Sequence, residues 1–414
     1  MIGKLNWLIK QLLRRIWVRS LLIALFGVVS ALAGVFIDTG LPDHVVEQFG
    51  GDSVYTILNI LASSMLAVTT FSLAIAVQAY AAAANTATPR ASRLLQEDAT
   101  TQNVLATFVG AFLFSLVGIV ALSAHAYGPQ GRVILFAGSA VVIILVVAMM
   151  LKWIDHITRF GRMDDTLTRV EKAVRKALEL YSKNPSMGGT PASGPPPENA
   201  HPIYPTKIGY VQHMDIAALG AIAEEHDHKI WIADLPGSYV HPALPLLFIE
   251  GDEPSDELIK KLRDTYAIRA TRSYDQDPRF GLIVLSEIAS RALSPAVNDP
   301  GTAIDVINRL TRLLSLWHPD QDKPPAYPRL MIPPLNPQDL LRDAFAAIAR
   351  DGAPLIEVQT HLQRALAITA ALQPDPFKTA ARRLSTEAEA RAVLAFTSPQ
   401  DIERLRDAIR RPEE

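Results

Sequence analysis

Thirty-one consecutive residues, Val54 to Ala84, carry no charge. About 20 apolar residues suffice for a helix to cross a bilayer. As one helix this stretch runs ~46 Å at ~1.5 Å per residue, enough to cross and project beyond. It is not uniformly apolar. Thr56, Asn59, Ser63, Ala67, Thr70, Ala74 and Gln78 recur at spacings of three and four, on one helical face. Ile57, Leu58, Leu61, Leu66, Phe71, Leu73 and Ile75 occupy the other faces. A polar or small stripe within lipid has to face protein or water, because unsatisfied polar groups in hydrocarbon are costly. Two readings stay open. The stripe is a seam that packs against other helices, or it lines a polar pathway built from copies of this helix. In the second reading Thr56, Asn59, Ser63, Thr70 and Gln78 are the lining groups.

Charge separates the chain into two parts. Of its 414 residues, 8 of the 40 Lys and Arg and 6 of the 42 Asp and Glu precede residue 152. The remainder is close to neutral and has no basic tract, so nucleic acid is not expected as a partner. The chain has no cysteine, which excludes disulfides, cysteine-ligated zinc, iron–sulfur clusters and cysteine nucleophiles.

Four spans are expected, at about 20–37, 54–84, 103–122 and 133–151. Residues 1–19 hold five Lys and Arg with Trp7 and Trp17, and read as a basic segment lying at the interface. Ala31-Leu32-Ala33 resembles a signal cleavage site, but the apolar stretch is long and further spans follow. Loop 38–53 carries Asp38, Asp43, Glu47 and Asp52 and no Lys or Arg, whereas 85–102 carries Arg90 and Arg93. Positive charge marks the cytoplasmic side, so both termini are expected inside. In span three, Ala111, Ser115 and Gly118 share a close-packing face. No Asp, Glu, Lys, Arg or His lies mid-span, which disfavours a proton pump or coupled transporter.

After the spans, 152–183 reads as a helix continuing span four, and 184–202, rich in Gly and Pro, as a flexible linker. Residues 203–254 read as a small β-rich module and 255–414 as a helical domain, with a proline-rich extended loop at 320–337. The overall expectation is an α-helical integral membrane protein of four transmembrane helices with a cytoplasmic α+β region. Glu224-Glu225-His226-Asp227-His228 offers metal-ligand residue types, but as a charged turn between helix and strand it is better read as solvated, and no metal or cofactor is expected. Asp277-Pro278, Asp299-Pro300, Asn336-Pro337, Asp375-Pro376 and Ser398-Pro399 each place a capping side chain before a proline suited to the first helical position.

Ala292-Leu293-Ser294-Pro295, Asn298-Asp299-Pro300 and Thr302-Ala303 form a long, unusual run. With Asp277-Pro278-Arg279-Phe280-Gly281, Gly209-Tyr210-Val211-Gln212 and Pro89-Arg90, it resembles a bacterial family of predicted membrane proteins, domain of unknown function 2254. The resemblance extends from the spans to about residue 355. It implies the membrane–cytoplasm architecture and no catalytic residue. Physically the run reads as helix, elbow, helix. Glu287, Arg291, Ser294, Asn298 and Asp299 form either a polar pocket for an ion or small anion, or an elbow held by caps and a Glu287–Arg291 pair. No phosphate-binding glycine loop, nucleophile elbow or HExxH motif is present, so an enzyme is not expected. The reading favoured is a channel-like homo-oligomer with a regulatory cytoplasmic domain, whose partners are the bilayer, further copies and possible ions or a small ligand. The alternative is a membrane-anchored sensor or scaffold.

Overall fold

A computed structural model of the chain describes residues 3–13, 16–36, 53–318 and 323–410. The acidic loop 38–52 and the Arg14-Arg15 pair lie outside them. Two compact units emerge. One is Leu8–Thr166; the other joins Met1–Trp7 to Leu167–Glu414.

The first unit is helical: most of α1 (Lys4–Leu13), then α2 (Ile16–Phe36), α3 (Ser53–Thr86), α4 (Pro89–Gln96), α5 (Ala99–Ser123) and α6 (Pro129–Ile157). Among the described residues α3, α5 and α6 are long and apolar enough to cross a membrane. The first expected span falls in α2, whose described apolar stretch, Ser20–Leu32, is shorter than a full crossing. The hub is α5. Buried residues make up 61% of its most apolar window, against 28% in α3 and 17% in α6. Its small residues explain why. A Cβ on Gly110 would stand 2.9 Å from Ile23 Cγ2, and one on Gly27 would stand 2.7 Å from the Gly110 carbonyl oxygen. Thus α2 and α5 cross nearly backbone to backbone. Ala111 and Ser115 are buried on the same helix, and Gly118 sits under Leu58 of α3. The Tyr127 hydroxyl donates to the Ala31 carbonyl at 2.6 Å, tying the α5–α6 loop to α2.

The expected continuous helix over 152–183 is broken. Helix α6 ends at Ile157, and α7 (Met163–Lys183) starts after a turn. Gly161 in that turn has φ +78°, and a Cβ there would lie 2.9 Å from Ala79 Cβ of α3. Left-handed backbone at such a close approach suits glycine alone, so the chain turns where hydropathy by itself predicts continuation.

The second unit holds two sheets. A mixed five-stranded sheet runs β1-β8-β4-β6-β2, from β1 (Gly189–Pro191), β8 (Tyr327–Ile332), β4 (Lys229–Ile232), β6 (Leu247–Glu250) and β2 (His201–Ile203). Strand β8 is parallel to both β1 and β4, and β6 is antiparallel to β4 and β2. An antiparallel three-stranded sheet runs β5-β3-β7, from β5 (Tyr239–Val240), β3 (Gly209–Met214) and β7 (Tyr266–Arg269). The stretch read as a flexible linker therefore supplies two strands, and the proline-rich loop supplies a third. Strands β1 and β2 lie at the two edges of the sheet, and Pro328 of the interior strand β8 falls where its register with β1 shifts, positions where a missing donor does no harm. The β region accordingly reaches beyond 203–254.

Among the described residues eight α-helices complete this unit after α7: α8 (Ile216–Glu225), α9 (Asp256–Asp264), α10 (Pro278–Ala292), α11 (Pro300–Ser315), α12 (Pro337–Asp351), α13 (Ile356–Leu372), α14 (Phe377–Ala395) and α15 (Pro399–Arg410). Leu282, Leu285 and Ile288 of α10 and Val306, Ile307 and Leu310 of α11 are fully buried. The expected caps form at Asp277, Asp299 and Asn336, each before a proline in the first turn. Asp375 accepts from the Thr379 N–H at 3.1 Å, although its helix starts only at Phe377.

The start of α1 belongs to this unit. Trp7 is buried at 4% exposure. Its ring stacks on His213 of β3 with centroids 4.9 Å apart and planes 8° apart, and its Nε1–H donates to Asp275 at 2.9 Å. The Lys4 N–H donates to Asp215 at 2.5 Å, and the Lys4 ammonium to the Tyr266 carbonyl at 3.0 Å and to the Asp264 carbonyl. The indole read as a membrane-interface anchor is instead a core side chain. A flat aromatic with one N–H donor satisfies both roles, and sequence alone does not separate them.

Candidate functional site

Helix α3 turns one face inward: Val54, Leu58, Leu61, Ala62, Met65, Ser72, Ala76 and Ala83 are its buried residues. Thr56, Asn59, Ser63, Ala67, Thr70, Ala74 and Gln78 are all exposed. At ~100° per residue the centre of this stripe lies ~170° from the centre of the buried face. The polar stripe therefore points directly away from the other described helices of its own unit, and among the described residues of that unit it is no packing seam. Exposed apolar residues flank it, Tyr55, Leu66 and Leu73 on one side, Ile60 and Phe71 on the other.

Local chemistry divides the stripe. The Ser63 hydroxyl donates to the Asn59 carbonyl at 2.9 Å and the Thr70 hydroxyl to the Leu66 carbonyl at 2.6 Å. These hydroxyls have returned their protons to their own helix, leaving oxygen lone pairs outward. The side-chain amides of Asn59 and Gln78 form no hydrogen bond among the described residues. Nineteen residues separate them, ~28 Å along the helix, close to the ~30 Å of a hydrocarbon core.

The elbow of the sequence run is the end of α10 and the start of α11. Ser294 Oγ donates to the Arg291 carbonyl at 2.7 Å. Asn298 takes φ +49°, a left-handed conformation that asparagine tolerates. The Asp299 N–H donates to the Ala292 carbonyl at 2.8 Å, and its carboxylate accepts from the Thr302 N–H at 3.0 Å and hydroxyl at 2.6 Å. Those bonds from Thr302 hold the Asp299 carboxyl below the usual carboxylate range. Arg291, Asn298 and Asp299 are exposed, while Glu287 and Ser294 are half-buried. Ser294 and Asp299 close their hydrogen bonds within the elbow, and capping accounts for the acid at Asp299.

The Asp277–Gly281 segment carries more than a cap. Asp277 is 3% exposed and takes both Arg272 Nε at 2.7 Å and Nη2 at 2.9 Å, besides capping Phe280 at 3.0 Å. Burial pushes its carboxyl upward against the pull of that guanidinium. Arg279 bridges to α12 through Asp343 at 2.6 Å and Asp339 at 3.1 Å. Phe280 packs on Tyr274, under the Arg272 guanidinium. Gly281 leaves no room for a side chain, since a Cβ would meet Val174 Cγ2 at 2.1 Å. Sequence reasoning missed the Arg279 clamp. Its signal was present in the i, i+4 spacing of Asp339 and Asp343.

The histidine-rich turn follows α8. Asp227 has φ +57° and pairs with Arg329 of β8, while the rings of His226 and His228 stand 6.3 Å apart. No group of three or more His, Asp or Glu among the described residues is placed to hold a metal.

A family model described as a predicted membrane protein, domain of unknown function 2254, matches residues 14–368. Uncharacterized proteins of Mycobacterium bovis and Mycobacterium tuberculosis are each 28% identical to this chain over 239 residues. Those residues cover 55% of this chain and 45% of each relative, so the chain spans about half the length of the curated relatives it matches. No solved structure matches.

Proposed function

The chain belongs to the domain of unknown function 2254 family of predicted membrane proteins, and we propose that it acts as a channel-like homo-oligomer whose polar pathway is lined by α3. The carrying observation is the direction of the stripe. A membrane helix that buries its apolar face in its own bundle and turns its amides outward leaves polar groups in lipid, which is unfavourable. Further copies meeting along α3 remove that cost. The lining would be neutral: amides, hydroxyl oxygens and small residues, of the kind that suits passive conduction and supplies no titrating relay.

In this proposal α2, α3, α5 and α6 all cross, with both termini cytoplasmic. Lys4, Lys10, Arg14, Arg15 and Arg19, then Arg90 and Arg93, then Lys152, Arg159 and Arg162 fall on one side. The acidic loop 38–53 falls on the other and would concentrate cations at an outer mouth. The sheet-containing unit is then a cytoplasmic regulatory domain. The sensor-or-scaffold alternative draws on the self-satisfied hydroxyls of Ser63 and Thr70, which lipid tolerates better than the two amides.

The test is reconstitution of the full chain with counting of subunits and recording of cation flux from liposomes. Several subunits, with flux altered by Asn59→Ala and Thr70→Leu, are expected. A monomer that passes nothing under voltage, osmotic or pH challenge, indifferent to both substitutions, refutes the channel and leaves the scaffold.

A further inference from the structure

The three-stranded sheet β5-β3-β7 has one face in the core and one that is only partly covered. Val211 and Val240 of the inner face are buried. On the outer face Tyr239, Tyr210 and Arg269 stand side by side, because Tyr210 pairs with both of the others across the strands and cross-strand partners share a face. Beyond a register shift His213 pairs with Ala267, which lies two residues before Arg269 and so on the same face. Trp7 stacks on His213. Helix α1 therefore covers one end of the outer face and leaves the other end open. We propose that this open end docks on the anionic headgroups of a lipid bilayer.

The open end has the chemistry of a membrane–water boundary. Ile208, which leads into β3, is 64% exposed and Tyr239 is 57% exposed. The Tyr239 ring meets Tyr210 edge-on, with centroids 5.0 Å apart. An apolar ring with a polar tip suits the headgroup level. Two cations accompany the tyrosines. Lys207 is exposed and forms no hydrogen bond or ion pair among the described residues. Arg269 is exposed and donates through Nη1 to the adjacent Ile268 carbonyl at 3.2 Å; the rest of its fork is unbonded among the described residues. Burial, and after it the nearby charges of Arg269 and Lys207, hold the Lys4 ammonium below its ordinary value against the pull of Asp264. The acids around Lys4 belong to the covered end. Asp264 closes α9 just before β7 begins at Tyr266, and Asp215 follows β3 and caps α8.

Charge and connection name the occupant. Cations beside exposed apolar side chains fit a surface that is anionic and partly apolar, which an acidic leaflet supplies. The helix covering the rest of this face, α1, leads directly into the apolar α2. The proposal needs a membrane protein and does not need α3 to conduct, so flux does not decide it.

The chain has no cysteine, so Thr206→Cys, at an exposed position beside Lys207, carries a single nitrobenzoxadiazole dye. The labelled full chain is reconstituted in phosphatidylcholine vesicles with or without phosphatidylglycerol, with nitroxide lipid as quencher. Blue-shifted, quenched emission is expected with phosphatidylglycerol, and its loss without that lipid or at high salt. Lys207→Gln should lower the ratio of docked to free protein about fivefold, and its combination with Arg269→Gln about 25-fold, at ~fivefold for each cation near an anionic surface. Thermal unfolding of both variants should be unchanged. A dye at Leu394→Cys, exposed on α14, should show no dependence on lipid. Quenching that is absent, that is equal in the two lipids, that survives the double substitution, or that is the same at both dye positions overturns the proposal. A dye response in detergent that follows protein concentration assigns the face to a second copy and overturns it as well.

Discussion

Gly27→Ala probes the joint on which the helical unit is built. The new Cβ would stand 2.7 Å from the Gly110 carbonyl oxygen and 3.4 Å from its carbon. Both are backbone atoms, so no side-chain rotation relieves the contact. It falls ~0.7 Å short of ordinary van der Waals separation, and α2 and α5 must part by about that much. A gap of 0.5–1 Å forfeits roughly a quarter to a half of each dispersion contact along the seam. Overpacking of this kind costs about 1–3 kcal/mol. Alanine returns up to ~1 kcal/mol through its better helix propensity. The net expectation is a loss of ~1–2 kcal/mol. Gly118→Ala is the internal control. Its Cβ would meet Leu58 Cδ1 at 3.0 Å, the far end of a flexible side chain, so its cost is about cancelled by propensity. The assay is the midpoint of denaturing-detergent titration of the purified protein, followed by loss of helical circular dichroism. Gly27→Ala as stable as wild type, or less damaging than Gly118→Ala, refutes the backbone-to-backbone crossing.

Trp7→Ala should cost the second unit ~3 kcal/mol, the low end for a buried aromatic because the terminal segment can undock instead of leaving a void; faster tryptic cleavage after Lys4 and Lys10 reads this out, and unchanged cleavage contradicts the docking. Asp277→Ala removes the carboxylate that holds Arg272 and uncaps α10, with an expected loss of ~3–5 kcal/mol; a shift of under ~1 kcal/mol in chemical denaturation would mean that the buried pair is not formed. Asp299 titrates below its ordinary value when folded. Its contribution is present above the unfolded value near 3.8 and lost as pH falls through the lower folded value. Thr302→Val removes the hydroxyl that holds the carboxyl down, so the acid limb of the stability curve should move to higher pH, and an unmoved limb rejects the cap as its source.

Hydropathy located α3, α5 and α6 to within a few residues because uncharged runs of that length have few other uses. Periodicity also separated the stripe of α3 from its apolar faces. It left open which way the stripe points, since a helical wheel orders the sides of a helix and not its neighbours; Leu58 over Gly118 and Leu61 among the α5 residues decide that. The turn at Gly161 was hidden because its cause is a contact with Ala79, far away in sequence. Strand β1 was masked by its own glycine and proline, and its partner β8 lies more than a hundred residues later. The Asx-Pro caps were legible because they are local. The Asp277–Arg272 and Arg279–Asp343 pairs were not, because burial and helix packing create them.

The slot for Trp7 has a consequence in time. Its walls include His213 and Asp275, the latter synthesised 268 residues after the indole. At ~5–20 residues per second, translation needs roughly 13–54 s to supply them. Through that interval the newborn indole, among five basic residues, has no pocket to enter, and a membrane surface is the natural place for such a segment to wait. The start of α1 is thus the first part of its unit to be made, and the pocket that buries its indole is complete only once Asp275 has been added.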